Sequence, residues 1–177
     1  MKFSKIEVDG AYEITLEKKG DERGFFARGY CEDEMRDHGI SFHMIQANIG
    51  FNKFQNTLRG LHYQIGSHAE KKLVKCVKGS IYDVVVDLRP NSSTYGHWAG
   101  RKLTADNHAM LFIPEGCAHG YQTLADNSEI SYMVSAHYEP KAERGILWND
   151  PAFNIKWKYS EDIILSDKDK NWPAFTS

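Results

Sequence analysis

The 177-residue chain has no run of eighteen uncharged apolar residues, the length that reads as a membrane-spanning helix, so the sequence predicts no such span. Its three cysteines, Cys31, Cys76 and Cys117, form neither a CxxC pair nor an even framework. They read as small buried hydrophobes in a reducing compartment. The opening residues MKFSKIEVDG carry too short an apolar run for a secretory leader. Together these absences predict a soluble, cytoplasmic chain. Charge of one sign is also missing in excess: the net formal charge is −2. No basic stripe for nucleic acid follows, and any anionic ligand is held by a few placed cations. Internal repeats, low-complexity tracts and long linkers are absent, which predicts one domain over residues 1–177. A domain of this size hides roughly 70% of the surface its unfolded chain exposes, enough for a real core.

What is present is mostly period two. In IYDVVVDLR, Tyr82, Val84, Val86 and Leu88 share one parity and Asp83, Asp87 and Arg89 the other. This alternation describes a strand with two distinct faces. Short runs of the same kind recur at LVKCV, MLFIP and EISYMVSAHY, separated by turn formers such as Lys78-Gly79-Ser80, Pro90-Asn91-Ser92-Ser93 and Pro114-Glu115-Gly116. The best helix candidate, residues 31–39, is brief. An all-β jelly roll is predicted, with a different small barrel as the alternative. Such a fold offers a tunnel between sheets, and carboxylates pointing into it need partners that solvated ones do not. Parity does not choose which face of IYDVVVDLR lies inside.

Two clusters carry chemistry. In RGLHYQ, Arg59 and His62 differ in parity and would point to opposite faces of a regular strand. Gly60 between them marks a bulge that re-aims its neighbours. Lys72 shares parity with Val74 and Cys76, so its ammonium belongs to an apolar face where it needs a partner, unless its stem snorkels to solvent. The second cluster is IPEGCAHGY, whose Pro114-x-Gly116-x-x-His119 spacing resembles the second motif of the cupin superfamily, a double-stranded β-helix. Metal-bearing cupins place His-x-His in the first motif. Here that place reads His62-Tyr63-Gln64, and an amide is a poor ligand for zinc or iron even with Glu70 nearby. No bound metal is expected.

The resemblance then narrows. RGLHYQ, KLVKCVKGSIYDVVVDLR, IPEGCAHGY, ILWNDP and LSDKD, in this order and spanning Asp21 to Pro173, resemble the dTDP-4-dehydrorhamnose 3,5-epimerase family. The resemblance implies a cupin jelly roll with short flanking helices and inversion at the carbons flanking the C4 ketone of a nucleotide-linked 4-keto-6-deoxyhexose, with no cofactor. It implies His62 as base, Asp169 as its partner, Lys72 near the ketone oxygen and Tyr132 as acid. It also implies Tyr138 stacked on the nucleotide base, Arg59 and Arg23 near the diphosphate, and Gln46, Asn48, His119, Glu143 and Lys168 lining the site. His119 invites a buried partner such as Asp83. Two positions depart from the family: Arg28 stands where a Glu is usual among the nucleotide-side residues, and Gly50 where a polar residue is usual. The resemblance also implies a homodimer in which Arg23, Phe25 and Phe26 reach the neighbour's site. Three alternatives stay open: a mono-epimerase, a 3,4-ketoisomerase on a related nucleotide-linked keto sugar, and a non-catalytic sugar-nucleotide binding module.

Overall fold

A computed structural model describes residues 1–176. Thirteen strands form two facing sheets and one small hairpin. The six-stranded sheet runs β1 (Lys2–Lys5), β2 (Tyr12–Thr15), β10 (Met110–Ile113), β7 (Lys72–Lys78), β12 (Ser128–Val134), β5 (Gln46–Asn52). The five-stranded sheet runs β13 (Glu143–Gly145), β6 (Leu58–Gln64), β11 (Cys117–Thr123), β8 (Ser80–Asp87), β9 (Trp98–Thr104). Non-consecutive neighbours in both sheets give the jelly roll. The hairpin pairs β3 (Lys19–Asp21) with β4 (Gly24–Phe26), and the helices are α1 (Glu32–Asp37) and α2 (Asp167–Lys170). No helix among the described residues is long and apolar enough to cross a membrane.

The core has three parts because both sheets are covered on both faces. Between the sheets, Val74, Cys76, Leu111, Ile113 and Ile130 meet Ile81, Val85, Leu103, Cys117 and Tyr121. Outside the six-stranded sheet, Leu73, Met110 and Phe112 pack under Met35 of α1 and Phe42. Outside the five-stranded sheet, Leu61, Tyr82, Val84 and Val86 are covered by Ile146 and Phe153, with Ile155, Trp157 and Phe175 packed alongside. Cys76 and Cys117 are buried thiols, as expected, and burial pushes them up to about 11 and about 12.

This arrangement decides the two faces of β8. Tyr82, Val84 and Val86 point outward beneath the C-terminal segment, while Asp83 and Asp87 share the inward face with Ile81 and Val85. Both carboxylates are fully buried. Burial pushes the Asp87 carboxyl up, but Arg89 Nε and Nη2, Ser92 Oγ and Thr94 Oγ1, which donate over 2.6–2.8 Å, outweigh it and hold the group well below the usual carboxylate range. Asp83 Oδ1 meets His119 Nε2 at 2.8 Å. The inward face of β8 therefore carries both carboxylates beside the apolar core between the sheets, and its apolar face lies under the outer cover.

Candidate active site

The bulge at Gly60 is where the site begins. On β11, His119 pairs with His62 but Tyr121 pairs with Arg59, so β6 holds one extra residue across this interval. That extra residue brings Arg59 and His62 to the same side, resolving the parity conflict. Gly60 has φ +123°, and a Cβ there would lie 2.8 Å from the His119 carbonyl oxygen, so only glycine fits. Leu61 turns outward into the outer core, while His62 and Gln64 turn inward.

His62 Nε2 lies 2.5 Å from Asp169 Oδ1. Asp169 is positioned by α2, a single turn whose Ser166 side chain caps the Asp169 backbone N–H at 3.1 Å. Burial pushes its carboxyl up, yet the hydrogen bonds with His62, Ser166 and Trp172 leave it below the ordinary value. An ionised Asp169 accepts the Nε2 proton, fixing the tautomer and leaving the second ring nitrogen basic. Trp172, which sequence reasoning missed, packs edge-on against His62 with centroids 5.8 Å apart and donates its indole N–H to Asp169 over 3.4 Å. No spacing signal marks it, because its role depends on the chain returning to β6 after α2.

His62 faces a cavity of about 410 Å³ between the sheets, also lined by Gln46, Asn48, Lys72, Tyr132, Tyr138 and Glu143. Gln46 and Asn48 come from the inward face of β5, and Tyr132 pairs with Asn48 across the ladder. Burial pushes the Tyr132 phenol up, helped by Glu70 and opposed by the Arg59 charge, with a net rise. Lys72 is buried and pairs with Glu70 at 3.1 Å. Its parity with Val74 and Cys76 does turn it inward, beside an apolar core. Lys168 Nζ and Tyr138 Oη reach Glu143 Oε2 at 2.5 and 2.6 Å, so the last two turns of the site are tied together. Burial pushes Glu143 up, and these two donors bring it below its ordinary value.

The run EISYMVSAHY, read above as one strand to Tyr138, is shorter in the structure, because β12 ends at Val134. Buried Gln64 causes the turn: its Nε2 donates to the His137 carbonyl and its Oε1 accepts from the Glu139 N–H. Both ends of the amide are thereby used by backbone. The Tyr138 N–H then bonds Gln46 Oε1 at 3.2 Å and leaves the ring exposed at the cavity mouth. Among the described residues, no three His, Cys, Asp or Glu side chains converge as a metal site requires.

Arg59 stands beside the cavity, its Nε bonded to Asn52 Oδ1 at 2.8 Å, and buried Asn52 also donates to the Tyr121 hydroxyl. Gly50 has a packing reason, since a Cβ there would crowd that hydroxyl at 3.3 Å. Arg23 and Arg28 line no wall of this cavity. Arg23 sits in the β3–β4 turn on Asp21, and Arg28 pairs with Glu34 at 3.0 Å, both exposed.

An imidazole held on a buried carboxylate, with a phenol and a lysine on the facing sheet, forms a set able to move a proton at a carbon beside a carbonyl. Comparison with known proteins points the same way. The family model described as dTDP-4-dehydrorhamnose 3,5-epimerase matches residues 5–177. A relative of that name from Salmonella typhimurium is 44% identical over 90% of this chain and 88% of its own. The solved structure of a protein of that name from Elizabethkingia anophelis NUHP1 superposes with a TM-score of 0.96 at 40% identity, covering 99% of this chain and 96% of its own. Another, the dTDP-6-deoxy-D-glucose-3,5-epimerase from Legionella pneumophila Philadelphia 1 in complex with dTDP-4-keto-L-rhamnose, gives 0.91 at 33% identity, covering 98% of this chain and 92% of its own. With the family model matched across nearly its whole length, this chain belongs to the dTDP-4-dehydrorhamnose 3,5-epimerase family.

Proposed function

We propose that this protein, acting as one cupin-type domain over residues 1–177, inverts C3 and C5 of a dTDP-linked 4-keto-6-deoxyhexose, of the type dTDP-4-dehydro-6-deoxyglucose to dTDP-4-dehydrorhamnose. The observation that carries this reading is His62 on one sheet, held by Asp169 of α2, and Tyr132 on the other, the two facing a single cavity. Both carbons flank the C4 ketone, so one chemistry serves both. His62 removes the proton beside the ketone, the electron pair moves into an enolate, and Lys72 holds the charge developing on its oxygen. Tyr132 returns a proton from the opposite side and, left as a phenolate, takes one from solvent, while His62 releases its proton to solvent, which restores the starting state. No electrons are gained or lost.

The cavity accommodates the sugar, and Tyr138 at its mouth stacks on the nucleotide base. Arg59 binds the diphosphate through the guanidinium nitrogens that Asn52 leaves free, with Gln46, Asn48 and Glu143 lining the walls, Lys168 held on Glu143 and His119 paired with Asp83 behind them.

The test is deuterium uptake in heavy water, followed by mass spectrometry with dTDP-4-keto-6-deoxyglucose and with the same sugar on other nucleotides. Uptake at both C3 and C5 of the dTDP compound is expected. Uptake at one carbon would make this a mono-epimerase, a product with its ketone at C3 a ketoisomerase, and no uptake a binding module.

A homodimer accompanies this reading. Ile49 and Phe51, on the outward face of edge strand β5, are 73% and 51% exposed, an apolar edge that a second copy would cover. Phe25 and Phe26 of the β3–β4 hairpin are exposed as well, and in the pair this hairpin carries Arg23, with Arg28 just after it, to the neighbour's cavity. Sedimentation velocity is expected to give the mass of two chains and to fall to one on Phe51→Glu. A wild-type monomer at micromolar concentration would refute the pairing.

A further inference from the structure

Glu70 is a cavity-lining group to which the mechanism so far assigns nothing. It lies two residues before β7, and its side chain and that of Lys72 are each only 11% exposed. Their charged atoms stand 3.1 Å apart. Among the described residues neither side chain makes another ion pair, and neither donates or accepts a side-chain hydrogen bond elsewhere. Two charges so enclosed persist only as a pair, since each alone would lack compensation.

We propose that Glu70 is a positioning residue for the epimerisation: its carboxylate fixes the Lys72 ammonium in the cavity wall and sets the charge balance beside Tyr132. The inference rests on the reaction proposed above and deepens it. A lysine is a compact charge on a flexible four-carbon stem, and stabilising an enolate requires a charge already in place before the proton leaves. Without an anchor the ammonium is free to swing toward solvent or toward the ligand's phosphates. Glu70 supplies that anchor from the adjoining turn.

The same carboxylate acts on the acid. Tyr132 is faced by Glu70 and Lys72 from β7 and the turn before it, by Arg59 and His62 from β6, and by Tyr121 from β11. Burial raises the Tyr132 phenol most, Glu70 raises it further and Arg59 opposes them. A phenol that must deliver a proton has to hold it at working pH, and Glu70 favours the protonated form. One carboxylate thus restrains the cation and preserves the acid.

The test compares Glu70→Ala and Glu70→Gln in the full-length protein. The alanine variant is expected to lose about tenfold in kcat with KM within about twofold, because the loss falls on the transition state. Glutamine keeps an oxygen for Lys72 and is expected to restore part of that loss. In both variants the Tyr132 phenolate titration is expected to move to lower pH. It is read without substrate as the ultraviolet difference between each variant and its Tyr132→Phe counterpart. Unchanged kcat in both variants would overturn the proposal. So would lost kcat with an unmoved titration, the signature of a carboxylate that only supports packing. If the wild type epimerises nothing, the reaction assignment fails, whereas the titration still reports the Glu70–Tyr132 coupling.

Discussion

Replacing His62 by asparagine is expected to lower kcat between about 100- and 10,000-fold, the range a positioned general base supplies. Asparagine is the informative choice because its amide N–H can still donate to Asp169, so the buried carboxylate is not left without a donor. Alanine would mix lost chemistry with that penalty. Binding of dTDP, measured by calorimetry, is expected to stay within a few fold of wild type, since Arg59 and Tyr138 are untouched. Asp169→Asn is expected to fall in the same range as His62→Asn. Its amide can offer an N–H to Nε2 where an acceptor stood, which favours the opposite tautomer and occupies the lone pair. A His62→Asn protein with wild-type kcat would remove the base from the mechanism. Loss of dTDP binding with unchanged kcat at saturation would recast His62 as a binding group.

Why His62 stood out in the sequence, while much of its setting did not, follows from the range of the interactions involved. The bulge in RGLHYQ is local: two polar residues of unlike parity with a glycine between them admit few solutions. The strands and their turns are local too, and the jelly roll follows from them. Lys72 was readable as inward because Val74 and Cys76 share its parity. Asp83 and Asp87 were not, because alternation distinguishes two faces without saying which is covered. The answer lies in Phe153 and its neighbours, which arrive some seventy residues later to cover the apolar face. The Asp169 partnership spans 107 residues, and only likeness to a family joined the two ends in the sequence. Trp172 carried no signal of its own. Tyr138 lies at the cavity mouth, though not at the end of the strand that the run EISYMVSAHY suggested, since β12 stops at Val134 and the Gln64 amide holds the backbone at His137 and Glu139. The proposed homodimer concerns a surface, and a single chain displays no more than the exposed apolar side chains, such as Ile49, Phe51, Phe25 and Phe26, that such a surface would use.

Tyr132→Phe should separate the two proton transfers. The ring packs against the core between the sheets, and phenylalanine keeps that packing, so the fold is expected to be retained. The hydroxyl alone is lost. With the base intact, proton removal continues, and His62 can return a proton to the face from which it took one. Net epimerisation is therefore expected to fall about 100-fold or more, while deuterium still enters the substrate with its original configuration. This outcome requires the acid and base to act on opposite faces, as their origin on opposing sheets suggests. A single group serving both faces would instead lose exchange and inversion together. Measuring configuration and isotope content in the same samples distinguishes the cases. Retained inversion at the wild-type rate would show that water or another side chain supplies the proton, and the phenol would then be a wall of the cavity.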